Sequence, residues 1–236
     1  MKSHSKYISA AILILTLVGG ASLYTTNTVS SQTRQAAQND ARAAKVAYAP
    51  IPGGTYAIDP AHSSINFSIR HLLINNVRGR FDDYTGTILY NPDDITQSSV
   101  EFTTKVASID TDIAKRDEHL RTADFFDVAK YPEMAFRSMR IERKSNDSFV
   151  AHGDFTLHGV TKQIAIPFKL FGAVKDPWGG TRMGVEAATT INRQDYGIKW
   201  NAPMAEGGFV VANDVQIALT LEAVKQEPAK TQASSK

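Results

Sequence analysis

From Tyr56 to Lys225 the chain alternates apolar and polar residues with a period of two, as strands do when one face lies in a core and the other in water. Ile65, Phe67 and Ile69 alternate with Asn66, Ser68 and Arg70, and Val100 and Phe102 with Glu101 and Thr103. Phe149, Ala151, Gly153, Phe155 and Leu157 share one parity against His152, Asp154 and Thr156. Ile164, Ile166, Phe168 and Leu170 oppose Gln163 and Lys169, while Val215, Ile217, Leu219 and Leu221 oppose Gln216, Thr220 and Glu222. One-sided strands of this kind belong to an antiparallel sheet. Turn-forming clusters separate them, among them Asn91-Pro92-Asp93-Asp94, Ser145-Asn146-Asp147, His158-Gly159-Val160-Thr161, Asp176-Pro177-Trp178-Gly179-Gly180 and Glu206-Gly207-Gly208. About eight long strands result, several reaching about ten residues where ~5–6 is usual. Long strands with short connections predict an all-β, eight-stranded antiparallel barrel rather than a small sandwich.

One segment breaks the alternation. Ile113 to Ala123 carries Ile113, Arg116, Asp117 and Leu120 at helical spacing, with Asp110 or Asp112 as N-cap, and Phe125-Phe126 follows directly. A short inserted helix ending in two aromatics either lids one mouth of the barrel or covers a sheet edge. Because neighbours in an extended stretch point opposite ways, one of Phe125 and Phe126 is expected at the mouth, not both. Arg116 and Asp117 predict an ion pair on the helix face, worth ~0–1 kcal/mol if exposed.

The termini read differently from the centre. Lys2, His4 and Lys6 precede an apolar run from Ile8 to Val18, and Gly19 and Ala21 offer small residues for cleavage before Ser22. Residues 1–21 therefore read as an export signal, with an uncleaved signal anchor as the alternative. Residues 22–54 form a polar linker and 226–236 a polar tail, which leaves 55–225 as the folded domain. Either way the reading places that domain outside the cytoplasm, released or tethered to the inner membrane by the uncleaved signal.

Composition narrows the chemistry. Net charge is +2, from 26 basic and 24 acidic residues, which argues against a nucleic-acid partner. The chain has no cysteine, so disulfides, thiol nucleophiles and thiolate metal sites are excluded. Six histidines remain, but His152 and His158 stand ~20 Å apart on one strand, and neither HExxH, GxSxG nor a glycine-rich phosphate loop before a helix occurs. No metal, cofactor or catalytic residue is assigned. Eleven Phe, eight Tyr and two Trp supply either a filled core or an apolar pocket, and an eight-stranded barrel has room for one or the other.

A set of motifs is more specific. The run YAIDPAHSSINFSIRH from Tyr56 to His71 resembles the opening of the YceI-like family. So do VRGRF (Val77 to Phe81), SIDT (Ser108 to Thr111), KRDEHLR (Lys115 to Arg121), DFFDVAKYP (Asp124 to Pro132), GDFTLHGVT (Gly153 to Thr161), DPWG (Asp176 to Gly179) and TINR (Thr190 to Arg193), in order along the domain. The resemblance implies a lipocalin-like barrel of the periplasm that binds a long isoprenoid lipid, quinone or polyprenyl, without catalysis. It implies dimers in at least some members and transient membrane contact for lipid exchange. Carried onto matching positions, it implies that Phe67, Ile69, Phe81, Leu120, Phe125, Phe126, Phe155 and Leu157 line the ligand tail. His71, Arg78 and Arg116 are the candidates for its head group. Two other functions stay open: a barrel hydrolase or isomerase acting on a lipid, and a stress-related envelope interaction module with a filled core.

Overall fold

Eleven strands and one α-helix make up the regular structure of the computed structural model, which describes residues 49–205 and 207–227. The expected signal segment, residues 22–48 of the linker and residues 228–236 of the tail lie outside the described residues. The strands are β1 (Gly54–Ile58), β2 (Ser64–His71), β3 (Asn75–Phe81), β4 (Tyr84–Tyr90), β5 (Ser99–Lys105), β6 (Ile109–Asp110), β7 (Glu133–Arg143), β8 (Ser148–Leu157), β9 (Val160–Lys175), β10 (Thr181–Asn192) and β11 (Val211–Lys225), with the helix α1 (Ala114–Arg121) between β6 and β7. All pairings are antiparallel. The order β1-β4-β5-β7-β8-β9-β10-β11 is closed by β11 on β1, so the sheet forms the eight-stranded barrel that the strand spacing predicts.

The other three strands, β2, β3 and β6, continue this barrel. β11 pairs with β1 through Ala223–Lys225 and with β2 through Val211–Thr220. β2 then pairs with β3, and β3 with β6. Segments β1–β2, β3–β4 and β5–β6 are thus three long strands, each broken midway. The residues at the breaks explain them. Pro60 opens a 3-10 turn capped by Asp59, whose side chain accepts from Ala61 N at 3.0 Å; proline cannot donate to a ladder. Asp82-Asp83 breaks the second and the turn Val106–Ser108 the third. The last two are tied together, Asp82 N donating to Ser108 O at 3.3 Å and Lys105 N to Asp83 O at 2.9 Å. The breaks divide the barrel into an upper half walled by β1, β4 and β5 and a lower half walled by β2, β3 and β6.

Register preserves the parity read from the sequence. Ile65 stands opposite Phe81 and Phe67 opposite Gly79. Gly79 is required there: a Cβ would lie 2.4 Å from the Phe67 ring. Gly153 faces the bulge in β7 between Ser138 and Arg140, where a Cβ would sit 2.2 Å from Arg137 O.

Three expectations are corrected. The helix is shorter than 113–123, and its N-cap is Ile113, with no side-chain cap. Asp110 instead accepts Asp112 N at 2.7 Å, while buried Asp117 accepts Thr111 N at 3.0 Å and the Thr111 hydroxyl. Arg116 makes no pair with Asp117; it donates to Thr111 Oγ1 at 2.7 Å and to Thr111 O at 2.6 Å. Asp117 turns inward to satisfy the loop before the helix, so the neighbouring charges face different partners. Finally, packing begins upstream of Thr55. Ala173 N donates to Ala49 O, Ile51 is buried, and the Tyr56 hydroxyl donates to Pro52 O at 2.7 Å.

Candidate functional site

The inward faces do not meet at the barrel axis. They leave two cavities, about 270 Å³ in the lower half and about 140 Å³ in the upper half. Ile65, Met134, Phe155 and Ile217 border both, so the two chambers lie end to end with these side chains between them. On β11 the lining runs from Val211 to Leu221. Ten residues at ~3.3 Å each, on strands tilted ~40°, mean that the two chambers together span about 25 Å of the barrel. The interior is not filled, which corrects the filled-core reading.

Polar groups are unevenly shared between the chambers. The upper one is walled by side chains such as Ile88, Phe102, Phe136, Ile164, Phe168 and Val185, with Ser98, Ser99, Thr104, Thr189 and Tyr90 also among the residues that border it. Ser98 Oγ is occupied by Asn91 N at 2.9 Å. The Thr104 hydroxyl, fully buried, has no partner among the described residues.

The lower chamber holds Asn66, His71, Thr111, Arg116, His119 and Arg193. Arg193 is buried and committed to the backbone. It donates to Ala212 O, Ile198 O and Trp200 O at 2.8–2.9 Å, stapling the β10–β11 connection, and burial pulls its guanidinium below the ordinary arginine value. His119 Nε2 lies 2.8 Å from Asp124 Oδ2, and its ring stands edge-on to Phe125 and Trp200, whose own centroids are 4.9 Å apart. Arg116 differs from Arg193: its recorded partners are the neutral oxygens of Thr111, and it forms no ion pair among the described residues.

The residues singled out from the sequence can now be placed. Phe67, Ile69, His71, Phe81, Arg116, Leu120, Phe125, Phe126, Phe155 and Leu157 all border the lower chamber. Arg78 does not. It is exposed on the outer face of β3, because Val77, Gly79 and Phe81 take the inward parity and Gly79 abuts Phe67. The period of two around Phe81 already carried that signal. Phe125 and Phe126 both reach the chamber, Phe126 edge-on to Phe81 at 6.1 Å, since residues 122–130 form successive turns rather than an extended stretch. Trp200, Ile198 and Val210, from the β10–β11 connection, also line it. No sequence pattern marked them, because a loop has no periodicity.

A second polar cluster lies on the wall. Asp59, His62 and Glu222 offer ligand atoms within 4.8 Å of one another, which is close enough for a metal. A cation is already there. Arg182 donates Nη1 to Asp59 at 2.7 Å and to Glu222, and Nε to Asp176 at 2.7 Å. Its guanidinium, aided by His62 at 2.9 Å, holds the Asp59 carboxyl down at about 2. Asp176 is likewise lowered by Arg182. The cluster is a structural pin at the break between β1 and β2.

Known proteins share this architecture. The family model of the YceI-like domain matches residues 56–223. A UPF0312 protein of Vibrio cholerae is 42% identical over 146 residues, covering 61% of this chain and 77% of its own. A UPF0312 protein of Shewanella sp. is 39% identical over 173 residues, covering 72% of this chain and 87% of its own. Among solved structures, the Campylobacter jejuni YceI protein superposes with a TM-score of 0.57 at 30% identity, over 67% of this chain and 91% of that one. A polyisoprenoid binding domain from Saccharophagus degradans, at 17% identity and a TM-score of 0.55 over 72% of this chain and 98% of its own, has the same fold.

Proposed function

Because this chain belongs to the YceI-like family, we propose that its barrel binds one long-chain isoprenoid lipid of the quinone or polyprenyl type. The tail would fill the upper chamber and the head group would lie beside Arg116 and His71 in the lower one. The observation that carries the reading is a pair of adjoining apolar chambers inside the barrel, the charged side chains among their lining residues confined to one of them. The polyisoprenoid-binding description of the Saccharophagus degradans domain supports the same ligand class.

Energetics favour a carrier. Each buried CH₂ gains ~0.8 kcal/mol relative to water. A tail of tens of carbons would exceed the ~20 kcal/mol ceiling of observed affinities, so such a lipid is never free in solution. Binding is instead a transfer between membrane and barrel, two apolar surroundings of nearly equal free energy. Chain length and head group then decide which lipid is taken. In this reading the protein is a carrier or sensor of the periplasm, exported by its N-terminal signal, and not an enzyme.

The test is extraction of the purified full chain with organic solvent, followed by mass spectrometry, together with uptake of added quinone or polyprenyl phosphate from detergent. One prenyl lipid per folded chain is expected. A lipid-free extract combined with no uptake would overturn the proposal.

A further inference from the structure

The hairpin joining β2 to β3 has an unusual tip. Leu72, Leu73 and Ile74 are 38%, 66% and 80% exposed, and Leu72 and Leu73 both take positive φ, at 50° and 63°. Left-handed positions in hairpin turns normally carry Gly, Asn or Asp, because a bulky side chain there is strained. The turn holds two leucines in this conformation and leaves Leu73 and Ile74 largely in water, with Leu72 partly covered. Strain of this kind persists where the surroundings enforce it and clusters at functional sites.

The tip adjoins the lower chamber. Leu72 N donates to Val210 O at 2.8 Å, and Val210, Val211 and His71 all line the lower chamber. A Cβ on Gly208 would lie 3.8 Å from Leu73 Cδ1, so Gly208 flanks the tip, and its neighbour Phe209 is 59% exposed. The outer face of the same hairpin presents Arg70 and Arg78, both exposed and neither in an ion pair among the described residues. Exposed aliphatic tips flanked by unpaired arginines match a lipid interface, in which apolar groups enter the acyl region and cations meet anionic head groups.

We propose that Leu72, Leu73, Ile74 and Phe209 form a bilayer-docking rim that inserts into an anionic phospholipid surface, with Arg70 and Arg78 against the head groups, so that the lower mouth opens directly into the membrane. The rim rests on the lipid-carrier reading for its purpose, since a ligand insoluble in water must cross without entering it. It also explains why Arg78 is outside the lower chamber.

The chain has no cysteine, so Ile74→Cys in the full-length protein takes a single environment-sensitive fluorophore. Met139→Cys, at an exposed position on β7, serves as the control site. Vesicles of phosphatidylethanolamine and phosphatidylglycerol carrying doxyl-labelled acyl chains should quench the label at 74 and leave that at 139 unchanged. A membrane tether at the N-terminus alone would not select between the two sites. Quenching at 74 should weaken on neutral phosphatidylcholine vesicles and in the Arg70→Gln, Arg78→Gln pair. Leu73→Gln with Ile74→Gln should slow lipid pick-up from vesicles by about tenfold or more. Equal quenching at both sites, none at either, or a signal at 74 that follows protein concentration without vesicles, as a second copy on the rim would give, overturns the inference. Uptake from detergent is scored separately. Uptake without quenching at 74 rejects docking and leaves the carrier standing, whereas quenching without uptake keeps the rim and rejects the carrier.

Discussion

The upper chamber is walled almost wholly by strands, β4, β5 and β7–β11; the lower one by β2, β3, β6 and the ends of β7, β8, β10 and β11, with a helix and two loops added. The upper walls present aliphatic and aromatic side chains with a few hydroxyls; the lower walls add two arginines and two histidines. The difference follows from how each half is made. A regular strand in a barrel points every second residue inward, and closing the barrel without water requires those residues to be apolar. Charged groups enter only where the chain leaves the strand pattern. Arg116 comes from α1 and Arg193 from the turn after β10. Loops set on a rigid scaffold carry the recognising chemistry, and the scaffold supplies length.

The largest effect should come from the residue that the chambers share. Phe155 is buried, borders both cavities and stands edge-on to Tyr196. Phe155→Ala should destabilise the apo protein by ~3–5 kcal/mol in denaturant unfolding, as core truncations do. Phe126→Ala and Leu120→Ala should lose less, because both side chains are only partly buried whereas Phe155 is buried. Equal losses at all three positions would erase the distinction between the buried and the partly buried wall.

Arg116→Leu tests the polar half alone. A charged hydrogen bond to a ligand head group is worth ~1.5–3 kcal/mol, so affinity for a prenyl lipid should fall by about tenfold or more in equilibrium binding, while an isoprenoid hydrocarbon lacking a head group binds as before. A matching loss for the hydrocarbon would show that Arg116 shapes the chamber rather than reading the head group. The reciprocal variant is Ala187→Phe, which fills the upper chamber. It should cost about tenfold in affinity for long tails and little for short ones, measured by competition between prenyl lengths. Indifference to tail length would place the tail elsewhere.

The smallest effect concerns the pin near the junction. The Asp59 carboxyl sits at about 2 in the folded chain, against 3.8 for the unperturbed group. The folded state thus binds this proton less readily than the unfolded state. The stabilisation is present in full above about pH 4 and is lost as pH falls through 2. Arg182→Met should flatten that acid limb in thermal unfolding scanned from pH 5 to 2. An unchanged slope would mean that other carboxylates carry it.

Much of the lower chamber was legible in the sequence. Phe67 and Ile69 follow from the period of β2, and Phe155 and Leu157 from that of β8, because inward parity is a local property of the backbone. The upper chamber was half legible. Ile164, Ile166 and Phe168 showed their parity, but nothing along the chain tells whether an inward side chain touches its opposite number or a void. Trp200 and the Asp59–Asp176–Arg182–Glu222 cluster were not legible, since they join residues that only barrel closure brings together.

The sequence by itself determined the antiparallel strands, their inward faces, the position of the single helix among the described residues and, through its ordered motifs, the family. These depend on the two-residue period and on short runs of neighbours. The tertiary structure decided that the barrel is hollow, that Phe125 and Phe126 face the same chamber, that Arg78 lies outside and that a strained leucine tip stands at the mouth. Those outcomes depend on how far apart opposite walls are held, which is set by strand number, tilt and the three aligned breaks rather than by any one segment.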